Sequence, residues 1–246
     1  MSPARIAALP HKAHAVVLFP IGAIEQHGPH LPVAVDALMG QIWTKLILEH
    51  LTGGTPCYVA PAITVGKSNE HTGFPGTLMI RKETLRELIL CVGRQIAAWG
   101  FKHLGVINTH GGNVAVLVPT LRELAAETGL RAEVIRSKAN LGLSMQEATY
   151  GIHANETETA WMLAAAGPLV DLSQAQCEYF ARVNDPGNIR PVAAPVIRAW
   201  ATRDLSKSGI MGDAPAATVE KGQRWLEQIS RSMAEAVVAM SAGGNL

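Results

Sequence analysis

Cysteine is scarce in this chain: there are three in 246 residues, Cys57, Cys91 and Cys177. They are odd in number and far apart, and no Cys-x-x-Cys pair occurs. A zinc ribbon and a disulfide framework are therefore excluded. This usage fits a reducing compartment, and a cytoplasmic location is the expectation. Charge is scarce as well. Asp, Glu, Lys and Arg make up 17% of the chain, against roughly 25% in an average soluble protein. The formal net charge is +1, with no basic block and no acidic tail, which argues against nucleic acid and against a membrane surface as partners. No run approaches the roughly 20 apolar residues of a membrane span. The stretch from Met1 to His14 holds no apolar run of signal-peptide length.

Apolar residues are plentiful, at 48%. The length suffices for one large domain with a full core, and a single domain over residues 1–246 is the reading. Low charge over such a length points to a well-buried sheet and a subunit interface, so a homo-oligomer is expected. Short apolar runs ending in Gly or Pro alternate with helical periodicity. Ala15–Phe19, Cys57–Ala60, Leu104–Asn108 and Ala132–Ile135 read as strands. Asp36–Leu51, Arg81–Trp99, Val114–Thr128, a segment from about Thr157 to Ala166, and Ala216–Met240 read as helices. Strand, loop and helix in repeated order predict one mostly parallel sheet between helical layers, an α/β sandwich. Ligands bind beyond the carboxyl ends of such strands. The region from Asp171 to Pro215, rich in Pro, Gly and Asn, gives no clear pattern.

Four polar clusters interrupt this pattern. The first is Gly22-Ala23-Ile24-Glu25-Gln26-His27-Gly28-Pro29-His30-Leu31-Pro32, followed by Asp36. Glu25 and His27 are two apart, so an extended backbone sends both side chains to one side. Burying these groups unpaired is costly, and a dication that neutralises carboxylates and takes imidazole lone pairs resolves it. The second cluster, Asn108-Thr109-His110-Gly111-Gly112-Asn113, is a glycine-rich turn into a helix whose free N–H groups face it. It matches neither G-x-G-x-x-G nor the Walker pattern. The third is His153, Glu156 and Glu158. The fourth is Asn69, Glu70 and His71 with Phe74-Pro75-Gly76-Thr77, in a long loop able to line a pocket. Purely structural roles are the competing reading: Asp36 and Asn113 as helix caps, one of Glu156 and Glu158 complementing a helix dipole, Thr77 capping a turn. Imidazoles and carboxylates without thiolates suit Zn²⁺, Mn²⁺ or Fe²⁺. Glu25, His27, Asp36, His110 and one of Glu156 or Glu158 exceed what one open catalytic zinc takes, and two ions bridged by a carboxylate would use them all.

These segments resemble the creatininase (creatinine amidohydrolase) family in order along most of the chain, as do Ser208–Asp213 and Ala217–Gly222. The resemblance implies a three-layer α/β/α fold, two divalent metal ions per chain and a hexamer. It implies Glu25 and His110 on one metal, His27 and an acidic residue on the other, and Asp36 bridging them. His153 matches a histidine that acts on the substrate as acid or base. Asn69, His71 and Gly112 are expected to contact substrate. Creatininase carries a metal-binding glutamate where this chain has Gly112, so another carboxylate must complete the set. Glu156 is the expected one, since creatininase is apolar there and relatives with the Gly-Gly form carry glutamate, and Glu158 is expected to support it. Creatininase also has Tyr and Trp where this chain has Gly111 and Thr149. The expected activity is a metal-activated water attacking an amide or cyclic amide C–N bond of a small molecule. Other substrates handled within the family are a pyrimidine-nucleotide formamide, a modified peptide and an inositol-derived ring ketone. A non-catalytic metal-binding subunit is the alternative from another class.

Overall fold

The computed structural model describes residues 1–52, 54–180 and 199–243. Four parallel strands form the central sheet: β1 (Val16–Ile21), β2 (Cys57–Val59), β3 (His103–Asn108) and β4 (Arg131–Val134), in the order β2-β1-β3-β4. The register pairs Val16 with both Cys57 and His103, and His103 with Arg131. β1 and β3 are central, and the two chemically richest loops leave their carboxyl ends side by side.

Side chains alternate across the sheet, so each strand feeds two cores. Val16, Leu18 and Ile107 face a core shared with α2 (Val35–His50), α6 (Glu156–Ala166) and α8 (Val219–Ser241). Val17, Phe19, Ile21, Leu104 and Val106 face a second core with α3 (Lys82–Ala98) and α4 (Val114–Thr128). Three layers result, in the α/β/α order anticipated. Pro20 does not end β1. On that side the Leu18 carbonyl takes the Ala60 N–H at 2.8 Å and the Pro20 carbonyl takes that of Ile63 at 3.0 Å. The strand beside it is interrupted between these contacts, so the N–H that Pro20 lacks costs no ladder bond.

The helices fall within a few residues of their expected limits. Short elements escaped the sequence reading: α1 (Pro3–Ala7), α5 (Met145–Tyr150), α7 (Thr202–Leu205) and the antiparallel pair β5 (Cys177–Glu178) with β6 (Gly212–Asp213). Each is too short to carry a periodic signal. Much of the stretch without a clear pattern, residues 181–198, lies outside the described residues. No helix among the described residues is long and apolar enough to cross a membrane.

Candidate metal centre

The loop after β1 is pinned at several points. Glu25 N–H donates to the Val33 carbonyl at 2.8 Å, and Leu78 N–H to the Ile24 carbonyl at 2.9 Å. Gly28 has φ +68°, and a Cβ there would overlap Ile210, so the turn needs glycine. Gln26 stitches the loop to two others. Its backbone N–H donates to Thr77 Oγ1 at 3.1 Å, and its side-chain amide donates to the Gly209 carbonyl at 3.2 Å and lies 2.9 Å from His71 Nδ1. His27 Nδ1 lies 3.1 Å from the Glu25 carbonyl, which holds that nitrogen as an N–H and turns Nε2 toward the cluster.

Asp36 reaches the same point from the first turn of α2, and His110 from the turn after β3. His27 Nε2 is 3.6 Å from Asp36 Oδ1. His110 Nδ1 is 3.1 Å from Glu25 Oε2 and 3.4 Å from Asp36 Oδ2. Asn113 fixes that turn. Its side chain accepts from Lys67 N–H at 3.0 Å and donates to the Gly22 carbonyl at 3.1 Å. It is fully buried and ties three loops together, and its side chain makes no capping bond to the helix it was expected to cap.

From α6 comes Glu158, not Glu156. Glu158 Oε2 lies 3.9 Å from His27 Nε2 and accepts from Ala154 N–H at 2.5 Å. Glu156 points away, toward α8, with its Oε1 2.5 Å from Lys221 Nζ. Glu156, expected to complete the donor set, is thus placed with Lys221 outside the cluster, and Glu158, expected to support it, is the acid that stands beside His27. Lys221 is the physical reason, since it gives the Glu156 carboxylate a partner on the far side of the helix.

Two further histidines enter the cluster. His153 and His71 stack at 4.3 Å between ring centroids, as do His27 and His153. His153 Nε2 is 2.6 Å from the Gln26 carbonyl, and Nδ1 is 3.8 Å from Glu25 Oε1. His71 Nε2 is 3.4 Å from Glu25 Oε1. Asn69 is exposed on the Asn69–His71 turn, of which only His71 is buried. A Cβ at Gly112, which is half-buried, would meet the Glu70 carboxylate, the His110 ring and the Lys67 carbonyl. Glu70 itself, 3.3 Å from His110 Nε2, received no firm assignment from the sequence.

Charge is contested at this site. Burial opposes charge on His27, yet Asp36, Glu158 and Glu25 outweigh it and raise its pKa to about 9. His110 is raised well above its usual value in the same way, by Asp36, Glu25 and Glu70 against burial. Burial pushes Asp36 up, but His110 and His27 hold it down at about 2. His153 goes the other way: burial, then the nearby His27 and His71, hold it well below the usual value. Burial pushes Glu158 up to about 7, with Asp36 and Glu25 adding to the shift and His27 opposing it.

Three buried atoms at the centre, Glu25 Oε2, His27 Nε2 and Asp36 Oδ2, have no hydrogen-bond partner. A stranded buried polar atom costs about 1–3 kcal/mol. Three at one point, joined by His110 Nδ1 and Glu158 Oε2, form a nitrogen–oxygen donor set that fits divalent metal ions. The donor atoms of Glu25, His27 and Asp36 lie within 4.8 Å of one another, as do those of His27, His153 and Glu158.

The family description "Creatinine amidohydrolase" (Creatininase) matches residues 1–237. The chain belongs to the creatininase family. Among characterised members, a mycofactocin precursor peptide peptidase of Mycolicibacterium smegmatis is 32% identical over 233 residues, covering 92% of this chain and 86% of the relative. A creatinine amidohydrolase of Pseudomonas putida is 28% identical over 254 residues, covering 95% and 91%. A solved creatininase mutant complexed with creatine superposes with a TM-score of 0.79 at 22% identity, covering 98% of this chain and 96% of that one. A manganese creatininase superposes at 0.74 and 23% identity, covering 95% and 92%. A further creatininase mutant is of a Zn–Zn type. Membership of this family makes the chain a hydrolase by kinship, and its candidate ligand cluster matches a family whose members carry Mn or Zn.

Proposed function

We propose that this creatininase-family protein is a two-metal hydrolase of an amide C–N bond. The observation that carries the reading is the convergence of the unpartnered Glu25 Oε2, His27 Nε2 and Asp36 Oδ2. In this reading Glu25 and His110 would hold one ion and His27 and Glu158 the other, and Asp36 would serve both. Bound there, a pair of divalent ions supplies Lewis-acid activation of water and of the amide carbonyl at neutral pH.

The chain's own residues supply the proton movement. With its pKa held low, His153 is neutral at pH 7, and its Nε2–H donates to the Gln26 carbonyl. The Nδ1 lone pair is then turned toward Glu25 and the cluster. Such a group first takes a proton from the attacking water and then gives it to the leaving nitrogen. His71, stacked on His153 and held by Gln26 and Thr202 Oγ1 (3.1 Å), fixes the ring plane.

A peptide amide is the favoured substrate over creatinine or another small cyclic amide. The relative acting on a precursor peptide shares more identity than the creatinine amidohydrolase. A Cβ built on Gly111 meets nothing within 4 Å, which leaves room for an extended chain where creatininase carries an aromatic ring. A cleft of about 340 Å³, lined by Asp36, Glu158 and Arg136 among others, reaches the cluster. Edge strand β2, with Val59 46% exposed, supports assembly with further copies of the chain.

The test is a panel of peptides, creatinine and cyclic amides incubated with metal-loaded protein, with products read by mass spectrometry. Cleavage of a peptide bond ahead of creatinine is expected. Protein that binds two ions and cleaves no amide would overturn the reading and leave a metal-binding subunit.

A further inference from the structure

The two nitrogens of His110 face different surroundings. Nδ1 looks into the cluster, toward Glu25 Oε2 and Asp36 Oδ2. Nε2 looks outward at three oxygens: the Lys67 carbonyl at 3.0 Å, Ser68 Oγ at 3.3 Å and Glu70 Oε1 at 3.3 Å. All three belong to the segment leading into the Asn69–His71 turn. Glu70 is the only one of them with negative charge, and its side chain is 15% exposed. Its other oxygen, Oε2, is 3.2 Å from Lys67 Nζ, which fixes the carboxylate in place.

Gly112 makes this contact possible. A Cβ at position 112 would overlap both Glu70 Oε1 and the His110 ring. A side chain at 112 and a carboxylate from position 70 thus exclude each other, and this chain has taken the second arrangement.

We propose that Glu70 is the positioning residue of His110. The Lys67 carbonyl holds the outward Nε2 as an N–H, and the Glu70 carboxylate beside it supplies the negative charge behind the ring, so that Nδ1 presents a lone pair to the ion shared with Glu25. The inference rests on the two-ion reading above. Glu70 lies on the far side of the imidazole from Glu25 and Asp36, so it acts through His110 and does not itself bind the ion. A carboxylate behind a ligating imidazole orients the ring and raises its basicity, and losing one weakens metal affinity about 10–100-fold.

The experiment is chelator competition on full-length protein, resolving the two dissociation constants, for wild type, Glu70→Gln and Glu70→Ala. Wild type should show two tight sites. Glu70→Gln should weaken one of them about 10–100-fold and leave the other unchanged, with Glu70→Ala at least as severe. The metal-free protein should melt somewhat lower in both variants, because His110 and Lys67 lose a carboxylate partner, so the deciding readout is the difference between the two sites. Two unchanged constants in both variants would overturn the inference. So would equal weakening of both sites, which marks a merely structural role. Loss of one ion altogether in Glu70→Gln would make Glu70 a ligand, and that too overturns it. Fewer than two tight sites in wild type would instead sink the two-ion reading, and this inference with it.

Discussion

Glu156 and Glu158 sit two residues apart on α6, and exchanging each for glutamine should give opposite results in two assays. Glu158→Gln removes the carboxylate facing His27. It should lower the affinity of one metal site by more than the roughly 10–100-fold that an indirect partner is worth. The same change should stabilise the metal-free protein above pH 7. Burial puts the folded pKa of Glu158 at about 7, against about 4.3 in an unfolded chain. A group whose folded pKa is raised contributes stability that is full below the unfolded value and is lost as pH rises through the folded one. At pH 8 the ionised Glu158 therefore costs up to about 4 kcal/mol, a cost glutamine avoids. Glu156→Gln should do the reverse. It leaves Lys221 Nζ with the Ala216 carbonyl at 2.7 Å and a neutral amide. It should cost about 1–2 kcal/mol, while both ions remain. Elemental analysis and urea denaturation of chelated protein at pH 5 and pH 8 read both effects. If Glu156→Gln strips metal and Glu158→Gln does not, the placement of α6 in the site is wrong. If the metal-free Glu158→Gln protein is less stable than wild type at pH 8, the burial argument fails.

Replacing His153 by alanine should spare both ions and reduce turnover about 10²–10⁴-fold; metal loss in that variant would make His153 a ligand instead. His27, with its pKa near 9, and His110, raised well above its usual value, carry protons at pH 7 in the metal-free protein. Ion uptake at pH 7 should therefore release about two to three protons, the two histidines' and part of one from Glu158 with its pKa of about 7, and affinity should rise with pH up to about 9. Calorimetry in two buffers of different ionisation heat measures this, and a buffer-independent heat would contradict it. Asn113→Ala strands the Lys67 N–H and the Gly22 carbonyl, and should cost about 2–5 kcal/mol in urea denaturation; a loss under 1 kcal/mol would show that water replaces the side chain.

Strands and long helices were legible because each carries its own period. Val17, Phe19 and Ile21 line one core while Val16 and Leu18 line the other, and that alternation is written in the sequence. Glu25, His27, Asp36 and His110 were legible because each sits just past a strand or at a helix start, where topology brings them together. The choice between Glu156 and Glu158 was harder, because two positions differ by about 200° around a helix. Both acids fit a helix start, and which faces the sheet depends on α8. A signal was available. Met162 is buried in the core with α2 and α8, and one turn back on the same stripe is Glu158, whereas Ala160 and Glu156 belong to the stripe facing Trp225 and Ala217. The approach of Glu70 to His110 over the space at Gly112 had no such signal, because it joins segments about forty residues apart through a missing side chain.

The central claim is a pair of ions on one chain, and the most direct test is titration of chelated protein with Zn²⁺ or Mn²⁺, following bound metal per chain. The account predicts saturation at about two ions, falling to about one when His110 is replaced by alanine. Saturation at a single ion in wild type, with Asp36→Asn leaving it in place, would contradict the bridged centre.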